Sequence, residues 1–419
     1  MKVGGVIRVP GDKSISHRAL IFAALAEGAS RIRDILPSAD VHSTAGVLGA
    51  LGVPVPPLSQ DITIVGRGAR ALTAPMVDLD CGNSGTTARL VAGIAAARPF
   101  TSRFVGDASL SRRPMRRIAH PLRAMGARVD VAPNDGLPMT VEGGNLHEIA
   151  WRSDTASAQV KSAILLAGVA AGVAVTVHEP APSRDHTERM LTALGATVMA
   201  HDTTVEVAPV DRLAPLRMRV PADPSSAAFL TALAVLANGG KLTLPDVCLN
   251  PTRTGFYRAL VRMGAELVLE DGNAQGGEPV GTIIARPSCL RAIALGSDDV
   301  PSMIDELPLV ACLAARAHGT TTIRGAEELR VKESDRIATV VANLRAVGVN
   351  ADELPDGMCI EGSDRPLRGR VLTRGDHRVA MAFGVLRALP GSAIEIDDPS
   401  CVAVSYPGFW DDVSRAIVS

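Results

Sequence analysis

Residues 155–177 read TASAQVKSAILLAGVAAGVAVTV. The polar opening can cap a helix, with Ser157 as the accepting hydroxyl, and the body that follows is small and apolar on every side. A helix of that kind is either buried or crosses a membrane. The apolar run from Ala163 to Val177 is about 15 residues, short of the roughly 20 that span a bilayer. The stretch therefore predicts a buried helix, a turn at Gly172 and a buried β-branched strand.

The same order recurs along the chain. RALIFAALAEG, TTARLVAGIAAA, SSAAFLTALAVLANGG, ELPLVACLAARAHG and VAMAFGVLRALPG are further small-residue helices, giving six units in all. Between them lie amphipathic helices such as GFYRALVRM, and these stop at Leu51-Gly52-Val53, Met125-Gly126-Ala127, Leu194-Gly195-Ala196, Met263-Gly264-Ala265 and Val347-Gly348-Val349. The stops repeat every 70 to 85 residues, roughly, a period that marks a self-similar array. Buried helices inside and sheets outside make an α/β fold. Pro10-Gly11-Asp12 and Val220-Pro221-Ala222-Asp223-Pro224 punctuate the array before its first and fourth helices. The expected division is a first three-repeat domain over residues 12–222, and a second over 1–11 and 223–419.

The totals exclude several functions. Lys and Arg number 43 against 44 Asp and Glu, and aromatic residues are 3% of the chain, so neither a basic footprint nor stacking platforms for nucleic acid are present. Six dispersed cysteines show no zinc or redox spacing and suit a reducing cytoplasm. The first residues carry no export signal.

The chemistry gathers at the helix starts. In Pro10-Gly11-Asp12-Lys13-Ser14-Ile15-Ser16-His17-Arg18, Asp12 or Ser14 can cap a helix whose free N–H groups lie beside Lys13. Arg18 falls on the same face as Ser14 and adds a forked donor for phosphate or carboxylate. A nucleotide-binding loop of the Walker type would need Gly directly before Lys13, and Asp12 stands there. Cys81-Gly82-Asn83-Ser84-Gly85 begins another helix, with Asn83 or Ser84 as cap and Gly85 admitting close approach to the backbone. Arg113, held by Pro114, is the sharpest anion contact in an arginine-rich loop. Ser157 and Gln159 offer uncharged donors. Ser183 to Glu188 resembles no metal motif in its spacing.

In the second half Asp305 and Glu306 precede an apolar helix, while Arg330-Val331-Lys332-Glu333-Ser334-Asp335-Arg336 concentrates charge, with Lys332 and Arg336 on one helical face. Arg374-Gly375-Asp376-His377-Arg378 opens the last apolar helix, and Asp305 and Asp376 can both serve as caps. If the units pack about common axes, Lys13, Arg18, Arg113, Lys332, Arg336 and Arg378 ring a cleft with excess positive potential. Asp305 and Glu333 are the acids inside it. This predicts small polyanionic substrates and acid–base chemistry.

PGDKSISHRAL, GNSGTTARL, RRPM, SAQVKSA, PTRTG, RVKESDR and DHRVAM stand in this order, and with them the whole chain resembles the enolpyruvyl transferase family, in its branch that uses shikimate 3-phosphate. The resemblance implies an inside-out α/β barrel: two domains, each of three βαβαββ repeats. The implied reaction adds the 5-hydroxyl of shikimate 3-phosphate to C2 of phosphoenolpyruvate and then eliminates phosphate. Shikimate 3-phosphate would be held by Lys13, Ser14, Arg18, Ser157, Ala158, Gln159, Arg184, Asp305 and Lys332. Phosphoenolpyruvate would be held by Lys13, Gly85, Arg113, Gln159, Arg336 and Arg378. Asp305 would take the hydroxyl proton and Glu333 would protonate the methylene carbon, with Lys13 also in the catalytic set. Neither a metal nor a cofactor is implied, and the protein would be a cytoplasmic monomer independent of membranes and nucleic acid.

One departure concerns Val404, which stands where many members carry lysine; Lys161 is the expected replacement. The related branch that uses a UDP-sugar carries a reactive cysteine near the place of SRRPMRR, and none is found there. A non-catalytic anion binder, the other alternative, would gain by losing Asp305 and Glu333.

Overall fold

The computed structural model describes residues 1–418. The chain divides into two compact units. One consists of Gly11–Val220 with Ala274–Glu278, the other of Met1–Pro10, Pro221–Asn273 and Pro279–Ser419. They are called here the first and second units.

Strand β1 (Lys2–Val6) begins the chain and belongs to the second unit. The first unit then runs α1 (Lys13–Leu25), β2 (Glu27–Arg33), α2 (Ala39–Ala50), β3 (Asp61–Arg67), β4 (Leu79–Asp80), α3 (Gly85–Ala96), β5 (Thr101–Val105), α4 (Arg116–Ala124), β6 (Arg128–Val131), β7 (Met139–Glu142), β8 (Ile149–Arg152), α5 (Ala158–Ala171), β9 (Val175–His178), α6 (His186–Ala193), β10 (Val198–His201), β11 (Thr204–Val207) and β12 (Arg217–Arg219). Its sheets are ordered β4-β5-β7-β6, β8-β9-β11-β10 and β12-β2-β3. In each, the first two strands are parallel and flank an inner helix, and the remainder are antiparallel.

The third sheet departs from the expected repeat in two ways. Its leading strand, β12, comes from the far end of the unit, and it lacks one strand where Pro54, Pro56 and Pro57 stand, since proline cannot donate to a ladder. Burial alternates residue by residue along β3, so this sheet keeps one face on the helices and one in water.

The inner helices touch closely because their residues are small. A Cβ on Gly93 of α3 would lie 2.1 Å from the Ala163 carbonyl oxygen of α5, so the two backbones meet with no room for a side chain. At the far end of α5, Gly172 takes φ 73° and turns the chain into β9.

The second unit contains α7 (Pro224–Val235), β13 (Gly239–Cys248), α8 (Gly255–Arg262), β14 (Leu267–Asp271), β15 (Val280–Ala285), β16 (Ala294–Leu295), α9 (Leu307–Ala314), β17 (Thr320–Ile323), α10 (Arg336–Ala346), β18 (Asn350–Leu354), β19 (Gly357–Glu361), β20 (Arg368–Val371), α11 (His377–Arg387), β21 (Ala393–Ile396), α12 (Phe409–Ala416) and β22 (Ile417–Val418). Every residue of α7 and α9 is buried. The sheets are β14-β15-β13-β1-β22, β16-β17-β19-β18 and β20-β21. β1 takes the leading place beside β13, in parallel. The last repeat keeps only its parallel pair, and its closing strand β22 returns antiparallel to β1. All five glycine stops have positive φ, from 88° to 112°.

Candidate functional site

In the first unit the starts of α1, α3 and α5 are tied together by side chains. Asp12 caps α1, its Oδ1 accepting from the Ile15 amide at 2.8 Å, which leaves Lys13 at the first helical residue with Nζ 3.0 Å from Asp40 Oδ2 on α2. Arg18 is buried. Its Nε donates to Thr187 Oγ1 (2.7 Å), Nη2 to Ser162 Oγ (2.8 Å) and Nη1 to the Ser14 carbonyl (3.0 Å), so α1 is bolted to α5 and α6. Burial pushes its guanidinium down to about 10, which leaves it charged at neutral pH.

Ser84 caps α3 by accepting from the Thr87 amide, and Gly85 is the first residue of that helix. A Cβ on Gly85 would stand 3.2 Å from Arg89 Nη1 and 3.5 Å from Arg113 Nη1. Arg113 donates to Asn83 Oδ1 at 2.6 Å. Ser157 caps α5, followed by Ala158 and Gln159. Gln159 donates to Thr86 Oγ1 (3.0 Å) and accepts from Arg89, which also donates to the Pro114 carbonyl. Lys13, Ser14, Arg18, Gly85, Arg113, Ser157, Ala158 and Gln159 thus occupy or adjoin three linked helix starts, and helix N-termini suit anions. Arg184 lies half-buried in the segment between β9 and α6.

Lys161 does not fit its expected part. It is 3% exposed, with Nζ 2.7 Å from Glu179 Oε2 and 2.8 Å from Glu188 Oε1, both buried. Burial works against its charge, but Glu188 and Glu179 more than offset that, and the ammonium titrates above its ordinary range. Its charge is already spent on two carboxylates, so it does not stand in for the lysine missing at Val404.

The second unit gathers its groups around Arg336, the first residue of α10, which is 1% exposed. Its Nη2 lies 2.7 Å from Glu333 Oε2, its Nε 2.9 Å from Asp376 Oδ2 and its Nη1 3.4 Å from Asp305 Oδ1. Burial opposes its charge; Asp376, Glu333 and Asp305 reverse the direction, and the guanidinium is held firmly protonated. Asp376 caps α11 by accepting from the Arg378 amide at 2.9 Å and also receives Ser334 Oγ at 3.0 Å. Arg378, 6% exposed, has Nη1 3.8 Å from Glu306 Oε1.

Three expectations need correcting here. Lys332 precedes α10 in extended conformation, so it and Arg336 do not share a helical face. Burial keeps its ammonium below the usual range, with Asp305 pulling the other way. Glu306, not Asp305, holds the cap position of α9. The second unit's helix starts are also not a plain cationic ring, because Asp305, Glu306, Glu333 and Asp376 accompany Lys332, Arg336 and Arg378. The pairings of Lys13 with Asp40 and of Arg336 with Asp376 span 27 and 40 residues, and no local spacing announces them. Among the described residues no group of His, Cys, Asp and Glu is arranged for a metal, and no helix is long and apolar enough to cross a membrane.

Comparison with known proteins places this arrangement. The sequence model of the family EPSP synthase (3-phosphoshikimate 1-carboxyvinyltransferase) matches residues 1–413. The 3-phosphoshikimate 1-carboxyvinyltransferase of Bacillus licheniformis is 44% identical over 414 residues, which is 98% of this chain and 96% of that protein. The enzyme of the same name from Limosilactobacillus fermentum is 47% identical over 420 residues, 99% and 96% of the two chains. The structure of EPSP synthase from Acinetobacter baumannii superposes with TM-score 0.87 at 40% identity, covering 99% of this chain and 96% of that one. The enolpyruvyl transferase NikO from Streptomyces tendae shares the fold at 17% identity, with TM-score 0.76 over 99% and 95%. On both sequence and structure the chain belongs to the EPSP synthase family.

Proposed function

We propose that this chain transfers the enolpyruvyl group of phosphoenolpyruvate to the 5-hydroxyl of shikimate 3-phosphate. The observation that carries the reading is the Arg336 guanidinium shared by Asp305, Glu333 and Asp376 in a member of this family. Two polyanions repel each other. Lys13, Arg18, Arg113, Arg184, Lys332, Arg336 and Arg378 offset that repulsion, most strongly once water is excluded. Ser14, Ser157, Ala158, Gln159 and Gly85 add neutral donors and room for close approach.

In the addition step Asp305 takes the proton of the 5-hydroxyl as its oxygen bonds to C2, and Glu333 delivers a proton to C3. Loss of inorganic phosphate from C2 then regenerates the double bond, as a proton leaves C3. Arg336 couples Glu333 to the ligand: phosphoenolpyruvate arriving at Arg336 competes with Glu333 for the same guanidinium N–H groups. Alignment of hydroxyl and enol supplies roughly 7–11 kcal/mol of the barrier.

The test is phosphate release with each acceptor in turn. Shikimate 3-phosphate should support turnover and a UDP-sugar should not. Asp305→Ala and Glu333→Ala should each lower turnover by about 10²- to 10⁴-fold with smaller changes in KM. Wild-type turnover in Glu333→Ala would remove it from the mechanism. A monomer located in the cytoplasm accompanies this reading, and sedimentation of the purified chain tests the former.

A further inference from the structure

The motif Pro251-Thr252-Arg253-Thr254-Gly255 takes no part in the chemistry above, yet it is built with care. Asn250 Oδ1 accepts from the Thr252 amide (2.9 Å) and hydroxyl (2.7 Å), shaping the turn. A Cβ on Gly255 would fall 2.1 Å from Ser302 Oγ. Arg253 between them is 3% exposed.

Position in the repeat makes Arg253 conspicuous. The segment joining the second strand of a repeat to its second helix carries Arg113 after β5 and Arg184 after β9, and Arg336 opens that second helix after β17. Each of these is proposed above to meet substrate. Arg253 holds the same place after β13, but it is turned to a different use. Its Nη2 lies 2.8 Å from Ser225 Oγ and 3.3 Å from Asp223 Oδ1, the cap of α7. Ser225 Oγ in turn donates to Glu306 Oε1. That same oxygen is the one 3.8 Å from Arg378 Nη1.

The three inner helices of this unit therefore each begin with an acid facing an arginine: Asp223 with Arg253, Glu306 with Arg378 and Asp376 with Arg336. Tyr257 OH, buried on α8, fastens the start of α7 by donating to the Pro224 carbonyl at 2.6 Å. Arg378 differs from the other two arginines. Among the described residues its guanidinium makes no hydrogen bond, and Glu306 attracts it from beyond hydrogen-bond distance. A buried guanidinium held by charge, with its donors uncommitted, is ready for an anion.

We infer that Arg253, Ser225 and Glu306 form a positioning relay that holds the Arg378 guanidinium in place for phosphoenolpyruvate. This rests on the reading of Arg378 given above. Arg253 and Ser225 orient and partly neutralise the Glu306 carboxylate, so that it restrains Arg378 without consuming its N–H groups. Deleting any member lets Glu306 turn fully onto Arg378 or away from it, and either movement withdraws donors from the ligand.

Steady-state kinetics of the full chain, varying each substrate separately, test the relay in Ser225→Ala, Arg253→Lys, Arg253→Met and Glu306→Gln, with Arg378→Lys as reference. Each relay variant should raise the phosphoenolpyruvate KM by about tenfold, leave the shikimate 3-phosphate KM within about twofold, and Arg253→Lys should fall between wild type and Arg253→Met. The Arg253→Met/Glu306→Gln pair should cost less than the product of the single effects, as coupled residues do. If Arg253→Met does not fold, Ser225→Ala and Arg253→Lys, which disturb volume least, carry the test alone. Both of these with a wild-type phosphoenolpyruvate KM, or with the two KM values rising in parallel, would overturn the relay while leaving Arg378 in place. An unchanged phosphoenolpyruvate KM in Arg378→Lys would overturn the reading of Arg378 and the relay with it.

Discussion

Replacing Lys161 by methionine keeps the length of the side chain and removes one buried charge. In the folded chain that charge sits 2.7 Å from Glu179 and 2.8 Å from Glu188, and burial already holds Glu188 above its ordinary value despite Lys161. Without the ammonium two carboxylates face each other in the interior. Breaking a buried ion pair costs about 3–5 kcal/mol. The variant can escape part of this by protonating one glutamate. At pH 7 that costs about 3.7 kcal/mol, the free energy of 2.7 pH units above a free glutamate, and at pH 5 only about 1 kcal/mol. The carboxylate's folded value is raised in the variant, so the folded state binds more protons than the unfolded one, and stability is regained as pH falls through that raised value. Urea unfolding can be followed at Trp151, which lies in the first unit, in a Trp410→Phe background. The expected loss is about 3–5 kcal/mol at pH 7.5, shrinking markedly at pH 5. A loss under about 1 kcal/mol at pH 7.5, or an equal loss at both values, would refute the reasoning.

Three other outcomes follow. Burial, then Lys13 and Arg18, hold His17 well below its ordinary value; the unfolded chain takes up a proton below about pH 6.5 that the folded chain refuses. Stability should therefore fall on acidification by up to about 1.4 kcal/mol per pH unit from this group, and His17→Asn should lose that component when unfolding is compared at pH 7.5 and 5.5. Gly93→Ala drives a methyl against the Ala163 carbonyl and should destabilise the first unit by about 1–3 kcal/mol or more, read by denaturant midpoint. Gly85→Ala pushes on the Arg89 guanidinium that donates to Gln159 and the Pro114 carbonyl; the phosphoenolpyruvate KM should rise while the unfolding midpoint barely moves.

The repeat was legible in the sequence because two physical signals coincide in it: helices made of small residues on all sides, and glycines where a left-handed residue releases the chain into a strand. Gly172 and the five stops behave as their neighbours suggest. What pattern reading could not reach is partnership across distance. Lys161 looks like a spare cation because Glu179 and Glu188 lie 18 and 27 residues away, and only the packing of α5 against β9 and α6 brings them to it. Lys332 looks helical because the helix that begins at Arg336 follows it within a turn. The missing strands of the first and last repeats are a different matter: Pro54, Pro56 and Pro57 announce one of them, and nothing local announces the return of β22 to β1.

The most direct test follows phosphorus by ³¹P NMR as the purified chain is given phosphoenolpyruvate and shikimate 3-phosphate, singly and together. The account predicts that inorganic phosphate grows only in the mixture, at the expense of the phosphoenolpyruvate signal, while the phosphate ester of the acceptor persists. Phosphate released from either compound alone, or from the shikimate ester in the mixture, would contradict it.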